Sequence, residues 1–569
     1  MDTNLRGMNL PSPRFRLAPL PKELCEVKGF NSLQTFFPTL SKLYRLDKYQ
    51  TEGVWFDSKW RIVGLDISGT SGPCSLKLVP NQDLSGDLSG CRQHNAYLKV
   101  THLLDPVKWM KGKYSLPKQN GLPWHNKTWT NAWSKLQDPW TQAYVEAGAS
   151  YALGRLRDEG VSPHFNEFYG AFCARADLYR YNMTEEFGSF RNARWFWNGQ
   201  KNGLYKLRVI NTGDADAVDE QALEEYLREP SVVNSDEESG SEESVEEVEL
   251  SEESEVEAVE AIELEEVTSI HSGNMSEISF AEESENNSEE SDAPDDSHKF
   301  YSELTDFPVM MIAIEQNSGT MDALLDNIEE IGVNRGTPEW ELRWSAWLFQ
   351  VIAGLTVAQA VFGFTHNDLH TNNIVWTPTS EEFLYYTLAS GATFKVPTFG
   401  KLFRIIDFGR AIFSINGNQF ISDDFRAGND ADGQYSFKPL HPQPSVEVPP
   451  NPSFDLSRLA VSLVDSLFPE QPAEKEGGVV LSDEEGITVV ETESDLFNCM
   501  WSWMVDDDGA NVLINADGSE RYPDFYLYKH IAAYVHGAVP SQQLKHPAFD
   551  RFQVNPSEVG DVKKWKLFC

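Results

Sequence analysis

A long acidic tract that is rich in serine interrupts this chain and restricts which parts of it can form a folded core. Residues 211–300 hold 32 of the 88 acidic residues in the sequence and only two basic residues, Arg228 and Lys299. Dense like charge and a scarcity of aromatic side chains leave too little apolar surface to offset the entropy lost on ordering. We therefore predict a disordered insertion over residues 213–298, and we expect the core to come from the sequence on either side of it.

The rest of the chain is close to balanced in charge, with 56 acidic and 45 basic residues. Most of the formal net charge of −41 therefore belongs to the tract, which argues against nucleic acid as a partner and leaves basic proteins as the partners that the insertion suits. The six cysteines include no C-x-x-C pair, a pattern that favours reduced thiols over disulfides or a zinc site.

The sequence gives no reason to expect a secreted or membrane-bound protein. The N-terminus lacks the charged start and the following apolar run that indicate a signal peptide. The apolar stretch at 351–364 is predicted to be too short to span a bilayer. We therefore expect a soluble, cytoplasmic protein that does not bind membranes.

Two short segments in the second half of the chain carry the residue types that phosphoryl transfer requires. The first is His366-Asn367-Asp368-Leu369-His370-Thr371-Asn372-Asn373, and the second is Ile405-Ile406-Asp407-Phe408-Gly409. Transfer of a phosphate from ATP needs one carboxylate to orient the attacking hydroxyl, and an asparagine and a second carboxylate to hold Mg²⁺. We therefore predict that Asp368 is the catalytic base and that Asn373 and Asp407 are the metal ligands, with ATP and Mg²⁺ as the cofactors.

These two segments resemble the catalytic loop and the DFG motif of the protein-kinase-like superfamily. A run of apolar residues at helical spacing from Pro338 to Gly363 leads directly into the first segment, as in that superfamily. The fold class that the resemblance implies is α+β, in a bilobal protein-kinase-like fold with a β-rich N-lobe and a mainly α-helical C-lobe. The implied divisions are an N-terminal extension at 1–54, the N-lobe at 55–212, the acidic disordered insertion at 213–298, the last N-lobe strand and hinge at 299–318, and the C-lobe at 319–569.

The resemblance also implies a lysine on a strand that contacts the ATP phosphates and a helical glutamate that pairs with it. The sequence around Lys99 alternates like a strand, so Lys99 is predicted to be this lysine, with Lys77 on the preceding strand as the alternative. The step Asp138-Pro139 indicates the start of a helix and Gly160 its stop. Glu146 lies in the first half of that helix and is predicted to pair with Lys99, although an exposed helical glutamate would give the same pattern.

A glycine loop that covers the phosphates should precede Lys99. Gly69 and Gly72 lie between two strand-like runs and are predicted to form this loop. A complete G-x-G-x-x-G pattern is absent and Pro73 follows directly, so a surface turn is the alternative.

An apolar run at 309–314 predicts a buried strand that leads into the hinge. Ile314 stands where the resemblance implies the residue that guards the adenine pocket. Glu315, Gln316 and Asn317 follow where hinge backbone groups would meet adenine. Thr320 is predicted to cap a helix that continues to residue 328.

Three positions refine the expectation for the catalytic loop. Asn367 replaces the arginine that reads an activation-loop phosphate in many protein kinases, so control by phosphorylation is not expected. His370 stands where Ser/Thr kinases usually carry lysine, and a D-L-H step is also familiar from aminoglycoside-type and haspin-like kinases. Asp455 is predicted to hold the loop by backbone hydrogen bonds, with a solvent-facing residue at a helix start as the alternative.

The long loops, the variant loop positions and the acidic insertion resemble the divergent kinase-like proteins of large cytoplasmic DNA viruses. This resemblance implies a Ser/Thr protein kinase that transfers the γ-phosphate of ATP to protein hydroxyls in the host cytoplasm, with packaging into the virion as a further option. Two alternatives stay open. His370 suggests a small-molecule kinase of the aminoglycoside or choline type, whereas the incomplete glycine loop suggests a catalytically silent pseudokinase scaffold.

Overall fold

The structure is a computed structural model that describes residues 14–44, 53–81, 90–114, 130–211 and 298–569, apart from 445, 485–486 and 516–518. It also describes the isolated residues 12, 122, 222, 226 and 227. The acidic insertion predicted over 213–298 therefore lies almost entirely outside the described residues.

Strands and helices both occur in each half of the described chain, and the fold class is α+β, as predicted. The described strands, numbered along the chain, are β1 (Phe15–Leu17), β2 (Phe30–Gln34), β3 (Val54–Phe56), β4 (Trp60–Ile67), β5 (Gly72–Pro80), β6 (Arg92–His102), β7 (Phe168–Asn182), β8 (Lys206–Asn211), β9 (His298–Glu315), β10 (Gly319–Thr320), β11 (Ile374–Pro378), β12 (Phe383–Thr387), β13 (Thr393–Pro397), β14 (Lys401–Ile405), β15 (Ile412–Ile415), β16 (Asn418–Ile421), β17 (Val480–Glu484), β18 (Ile487–Val490), β19 (Gln553–Val554) and β20 (Lys564–Lys566). The described α-helices are α1 (Thr39–Tyr44), α2 (Pro106–Met110), α3 (Thr130–Gln137), α4 (Gln142–Asp158), α5 (Phe187–Arg191), α6 (Arg194–Lys201), α7 (Ile328–Ile331), α8 (Pro338–Phe362), α9 (Phe454–Val461), α10 (Val464–Leu467), α11 (Asp495–Trp503), α12 (Tyr526–Tyr534) and α13 (Pro540–Gln543). Short 3₁₀ turns lie at Lys22–Glu26, Asp322–Leu324, Thr371–Asn373, Asp423–Phe425, Pro547–Phe552 and Pro556–Glu558.

One antiparallel sheet organises the first half of the chain around β9. Its strand order is β2-β7-β9-β6-β5-β4, and β8 also pairs with β9. Because β9 is 18 residues long, its first part pairs with β8 and its last part with β6, while β7 follows its other edge. The buried strand predicted from the apolar run at 309–314 is confirmed, although the strand begins earlier, at His298.

In the part that the structure describes, the predicted N-terminal extension at 1–54 contributes strands and a short helix to the folded core. β2 is the edge strand of the sheet, and Phe30 pairs with Ala176. The side chain of Asn31 donates to the carboxylate of Asp177 at 3.0 Å, across 146 positions of sequence. This long-range pairing leaves no local pattern from which the strand could be predicted.

Helix α4 packs against the sheet and is buried along most of its length. It begins at Gln142, not at the predicted Pro139. The carboxylate of Asp138 accepts from the backbone N–H of Trp140 at 2.9 Å and forms an ion pair with Arg426, so it closes a turn instead of capping the helix. The predicted stop is confirmed, since Gly160 has a φ of +67° just after the helix, a conformation that glycine adopts without strain.

Helix α8 forms the core of the second half of the chain, as its apolar spacing predicts. The Thr337 side chain caps it, Pro338 is its first residue, and Gly363 ends it at a φ of +57°. Trp344 and Trp347 are fully buried. With 25 residues this is the one described helix that is long and apolar enough to cross a membrane, because it extends well before the apolar stretch at 351–364, back to Pro338. However, 83% of its apolar window is buried inside the protein, as in the core helix of a soluble protein.

The helix predicted from Thr320 to residue 328 does not form. Thr320 belongs to β10 and pairs with Val375 of β11. Its hydroxyl accepts from the N–H of Ala323 at 3.1 Å, and this bond closes only a short 3₁₀ turn. Helix α7 begins later, where the Asn327 side chain accepts from the N–H of Glu330. The cap signal at Thr320 and the following apolar residues therefore belong to two separate turns, which the sequence pattern alone does not distinguish from one continuous helix.

Candidate active site

A cavity of about 360 Å³ lies where the sheet, α4 and the β11–β14 pair meet. Its lining is mostly apolar, with a few polar groups that converge on it, as in a small-molecule site. The lining side chains from regular elements include Lys99 of β6, Glu146 of α4, Ile312 and Ile314 of β9, and Val375 of β11, and Asp407 joins them just after β14.

Lys99 lies between two carboxylates at this cavity. Its Nζ is 2.6 Å from Glu146 and 2.8 Å from Asp407. The structure thus brings together three residues that the sequence analysis assigns to one site from three distant segments. The alternative lysine, Lys77, pairs with Glu23 at 2.8 Å and is not among the residues that line the cavity.

Burial and mutual charge interactions shift the pKa values of all three groups. Burial opposes the charge on Lys99, but Asp407 and Glu146 outweigh it and raise the pKa of Lys99 above its ordinary range. Burial would raise the pKa of Asp407, but the Lys99 ammonium lowers it below its usual value. Burial raises the pKa of Glu146 to about 7, against the lowering effect of Lys99. At neutral pH the site therefore holds a cationic lysine, an ionised Asp407 and a glutamate that titrates near neutrality.

The β11–β14 pair brings Asn373 close to the segment that carries Asp407. Ile374 pairs with Ile405, so the residues just outside this pair meet, and the N–H of Ile406 donates to the carbonyl of Asn373 at 3.0 Å. The Asn373 amide donates to the backbone carbonyl of Asp368 at 2.9 Å. Asp407 has a φ of +64°, a left-handed conformation that costs a residue with a side chain about 1–2 kcal/mol. Strain of this kind is concentrated at functional sites.

The donor set at Asn373 and Asp407 suits Mg²⁺ bound together with phosphates. The described residues contain no group of three or more His, Cys, Asp or Glu that could hold a metal alone. Mg²⁺ is usually bound through one or two protein carboxylates plus waters and substrate phosphates, so a small oxygen set fits it. Within the described part of the chain, Oδ1 of Asn373 accepts no hydrogen bond, and the Asp407 side chain is 44% exposed.

The loop before Asp368 is anchored from α9 by a buried carboxylate. Both oxygens of Asp455 accept from the N–H of His366 at 3.0 Å, and Oδ1 also accepts from the N–H of Asn367 at 2.9 Å. Asp455 is fully buried, so these contacts confirm the predicted bonding and exclude the solvent-facing alternative. They also support the left-handed φ of +65° at Asn367.

The carboxylate of Asp368 faces a hydroxyl and a guanidinium. Its Oδ1 accepts from the hydroxyl of Tyr528 at 2.9 Å and lies 3.8 Å from Arg410. Burial would raise the pKa of Asp368, but Arg410 and nearby cationic groups outweigh it and lower the pKa below its usual value. Asp368 is therefore ionised at neutral pH and able to accept a proton.

Contacts within the protein explain what the side chains at the two unusual loop positions, Asn367 and His370, do. The Asn367 side chain is fully buried, donates to the carbonyls of Thr365 and Arg410, and accepts from the hydroxyl of Tyr435 at 2.6 Å. No part of it is left to contact a phosphate. Burial lowers the pKa of His370, so the ring is neutral at neutral pH and lacks the charge that a lysine would supply there.

The four predicted hinge residues do not all face the cavity. Ile314 and Asn317 line it. The Glu315 side chain turns away to form ion pairs with Arg157 at 2.8 Å and Arg404 at 3.2 Å. Neither Glu315 nor Gln316 is among the lining residues. The predicted contact of Glu315, Gln316 and Asn317 with adenine involves backbone groups, so it stays a prediction.

The predicted phosphate-covering glycines are not among the residues that line the cavity. Gly69 is in the turn between β4 and β5, Gly72 begins β5, and neither lines the cavity. The hydroxyl of Ser71 donates to the carbonyl of Leu98 at 2.9 Å, which fastens this turn to β6. Because β5 pairs with β6, the strand that carries Lys99, the role of this turn as a phosphate-covering loop stays a prediction.

The sequence analysis missed two residues that contact the site. Tyr528 lies 160 positions from Asp368, and no local pattern connects them. Arg458 donates to the Tyr528 hydroxyl at 2.9 Å. A signal for Arg458 was present, because it lies three positions after Asp455 and therefore on the same face of α9.

No family model matches this chain, and no curated protein is a significant match. The chemistry of the site therefore has to be derived from its own geometry. The cavity is lined by the cationic Lys99 and the ionised Asp407, and Asn373 and Asp368 lie on the adjoining loop. Such an arrangement is chemically suited to bind a polyphosphate and to accept a proton beside it.

Proposed function

We propose that this chain is an ATP-dependent Ser/Thr protein kinase with a bilobal protein-kinase-like fold. The observation that carries the proposal is the position of Lys99, which Glu146 and Asp407 hold at the wall of the cavity. Phosphoryl transfer depends mainly on positioning and charge stabilisation, and this cluster supplies both. The large antiparallel sheet and the mainly helical region around α8 are consistent with a β-rich and an α-helical lobe.

Each residue has one task in the proposed reaction. Lys99 donates to the phosphates of ATP, and Glu146 keeps the ammonium in place. Asn373 and Asp407 would hold Mg²⁺, which neutralises the charge that develops on the transferred phosphate. Asp368 orients the acceptor hydroxyl and accepts its proton, and its lowered pKa keeps it ionised for this task.

A small-molecule kinase is the second candidate, and His370 is the observation that favours it. A neutral ring in place of a lysine lowers the positive charge beside Asp368. The Asp368 side chain is 29% exposed, so hydroxyls on a protein segment or on a metabolite can both reach it.

Labelling with γ-labelled ATP distinguishes these functions. The purified protein is incubated with labelled ATP, Mg²⁺ and a whole-cell extract, beside the variant Asp368→Asn and the matched control Asp465→Asn, an exposed residue of α10. We expect label on proteins with the wild type and the control, and only a small residual amount with Asp368→Asn. Label on metabolites alone would instead identify a small-molecule kinase. Absence of label from both fractions would refute phosphoryl transfer and favour a scaffold.

A further inference from the structure

The side chain of Asp368 is held by a residue outside the loop that carries it. The hydroxyl of Tyr528, on α12, lies 2.9 Å from Oδ1 of Asp368. Tyr528 is only 6% exposed, and its ring packs against Phe454 and Phe525 at centroid distances of 5.7 and 5.1 Å. The ring is therefore fixed, and the hydroxyl is presented to Asp368 by packing and not by a mobile surface side chain.

The direction of this hydrogen bond follows from the chemistry of its neighbours. Nε of Arg458 lies 2.9 Å from the Tyr528 hydroxyl oxygen. A guanidinium can only donate and an ionised carboxylate can only accept. The hydroxyl must therefore accept from Arg458 and direct its own proton to Asp368. The chain Arg458–Tyr528–Asp368 has a single orientation, and each of its two bonds involves a charged partner.

Helix α9 supports the catalytic loop at two points. Asp455 holds the backbone of His366 and Asn367, and Arg458 reaches the side chain of Asp368 through Tyr528. The two residues are three positions apart and share one face of the helix. Arg458 is only 5% exposed, and its guanidinium lies 5.2 Å from the centre of the Tyr528 ring. Burying a polar donor without an acceptor is unfavourable, so the bond from Nε of Arg458 constrains the position of the Tyr528 hydroxyl.

We propose that Tyr528 is a positioning residue for phosphoryl transfer, which fixes Oδ1 of Asp368 so that Oδ2 is presented to the acceptor hydroxyl. This inference rests on the proposed function. Within the described residues, Oδ2 of Asp368 accepts no hydrogen bond, whereas Oδ1 is occupied by Tyr528 and faces Arg410. Arg458 acts one step further away, by orienting the tyrosine hydroxyl. Precise placement of a general base matters because proton transfer requires a close and aligned donor and acceptor.

The variant Tyr528→Phe removes the hydroxyl and keeps the packed ring. We expect kcat for labelled phosphate transfer to fall about 10- to 100-fold, a part of what a general base contributes, while KM for ATP stays within about two-fold. The matched control is Tyr435→Phe, which also removes a buried hydroxyl that bonds to this loop, but at Asn367. We expect this control to change kcat by no more than about two-fold.

Two further variants make the test specific for the chain of contacts. Arg458→Lys leaves Tyr528 in place but lacks the guanidinium geometry, and it should lower kcat without changing KM for ATP. In the Asp368→Asn background, Tyr528→Phe should change the residual rate by less than about two-fold, because its effect passes through Asp368.

The outcomes separate this inference from the proposed function. A wild type without transfer to any acceptor refutes the proposed function, and with it the inference. If the wild type is active and Tyr528→Phe has a kcat within two-fold of the wild-type value or above it, only the inference is refuted. The inference is also refuted if Tyr435→Phe lowers kcat as much as Tyr528→Phe does, or if Tyr528→Phe changes KM for ATP instead of kcat. It is refuted as well if the effects of Tyr528→Phe and Asp368→Asn on kcat are additive. A Tyr528→Phe variant that does not fold leaves the decision to Arg458→Lys, for which an unchanged kcat overturns the inference.

Discussion

Replacing Asp455 with asparagine should loosen the backbone of the loop before Asp368 without unfolding the protein. Asp455 is fully buried and accepts from the N–H groups of His366 and Asn367 at 2.9–3.0 Å. Asparagine has nearly the same shape, but it carries one acceptor oxygen and no charge. The substitution therefore weakens both bonds and leaves the surrounding packing intact.

The size of the effect follows from the two bonds. A hydrogen bond to a charged group contributes about 1.5–3 kcal/mol, and a neutral one about 0.5–1.5 kcal/mol, so each donor loses about 1–1.5 kcal/mol. Burial raises the pKa of Asp455, which shows that its charge is costly to keep, and the neutral amide recovers part of that cost. We expect a net loss of about 1–2 kcal/mol of local stability, which corresponds to amide exchange that is about 5- to 30-fold faster.

Hydrogen exchange measured by mass spectrometry on peptides that cover residues 364–370 tests this value. The control is Asp465→Asn, because Asp465 is exposed and a change there should leave these peptides unaffected. Exchange in the loop within two-fold of wild type would refute the anchoring role of Asp455. An equal increase throughout the protein would also refute it, because it would show a global effect in place of a local one.

Four further outcomes test the site and the insertion. Since the pKa of Glu146 is raised to about 7, lowering the pH through 7 should neutralise Glu146, weaken its pairing with Lys99 and lower kcat/KM for ATP, whereas Glu146→Gln should have a low kcat/KM that does not change with pH. The same raised pKa makes folding less favourable as the pH rises from about 4.5 to 7, so Glu146→Gln should also reduce the pH dependence of the unfolding free energy in that range. Asp407→Asn should lower kcat at least about 100-fold with an unchanged circular dichroism spectrum, and near wild-type turnover would exclude its role as a metal ligand. Phosphatase treatment should leave activity unchanged because the Asn367 side chain is used inside the protein, whereas a strong loss would contradict this. Replacing residues 213–297 with a Gly/Ser linker should leave turnover on a peptide substrate unchanged, whereas a rise that added salt removes would instead indicate inhibition by the tract.

Local patterns were sufficient where one element carries its own signal. Helix α8 was predictable because a cap, an N-terminal proline, apolar spacing and a final glycine all agree. The strand that carries Lys99 was predictable from its alternation. The spacing of Asp368, Asn373 and Asp407 predicted that they lie close together, and Asn373 does bond to Asp368 and to Ile406, the neighbour of Asp407, whereas their roles in phosphoryl transfer stay predictions.

Long-range contacts and competing side-chain bonds explain the remaining differences. No pattern near Phe30 reveals that its partner is Ala176, and none near Tyr528 reveals Asp368. At the start of α4, the cap signal of Asp138 is real, but its carboxylate satisfies the N–H of Trp140 instead. These choices depend on tertiary packing, which propensity alone does not describe.

The charge balance of the cavity explains why a divalent cation belongs to the proposed mechanism. Among the described residues that line the cavity, Lys99 is the only cation, and it is already shared by Glu146 and Asp407. The phosphates of a nucleotide would therefore approach two carboxylates and a single partly neutralised ammonium. His370 adds no charge, because burial keeps its ring neutral. In the proposed mechanism Asn373 and Asp407 would hold a divalent cation, whose charge would offset the carboxylates and allow Asp407 to attract the phosphates through the cation.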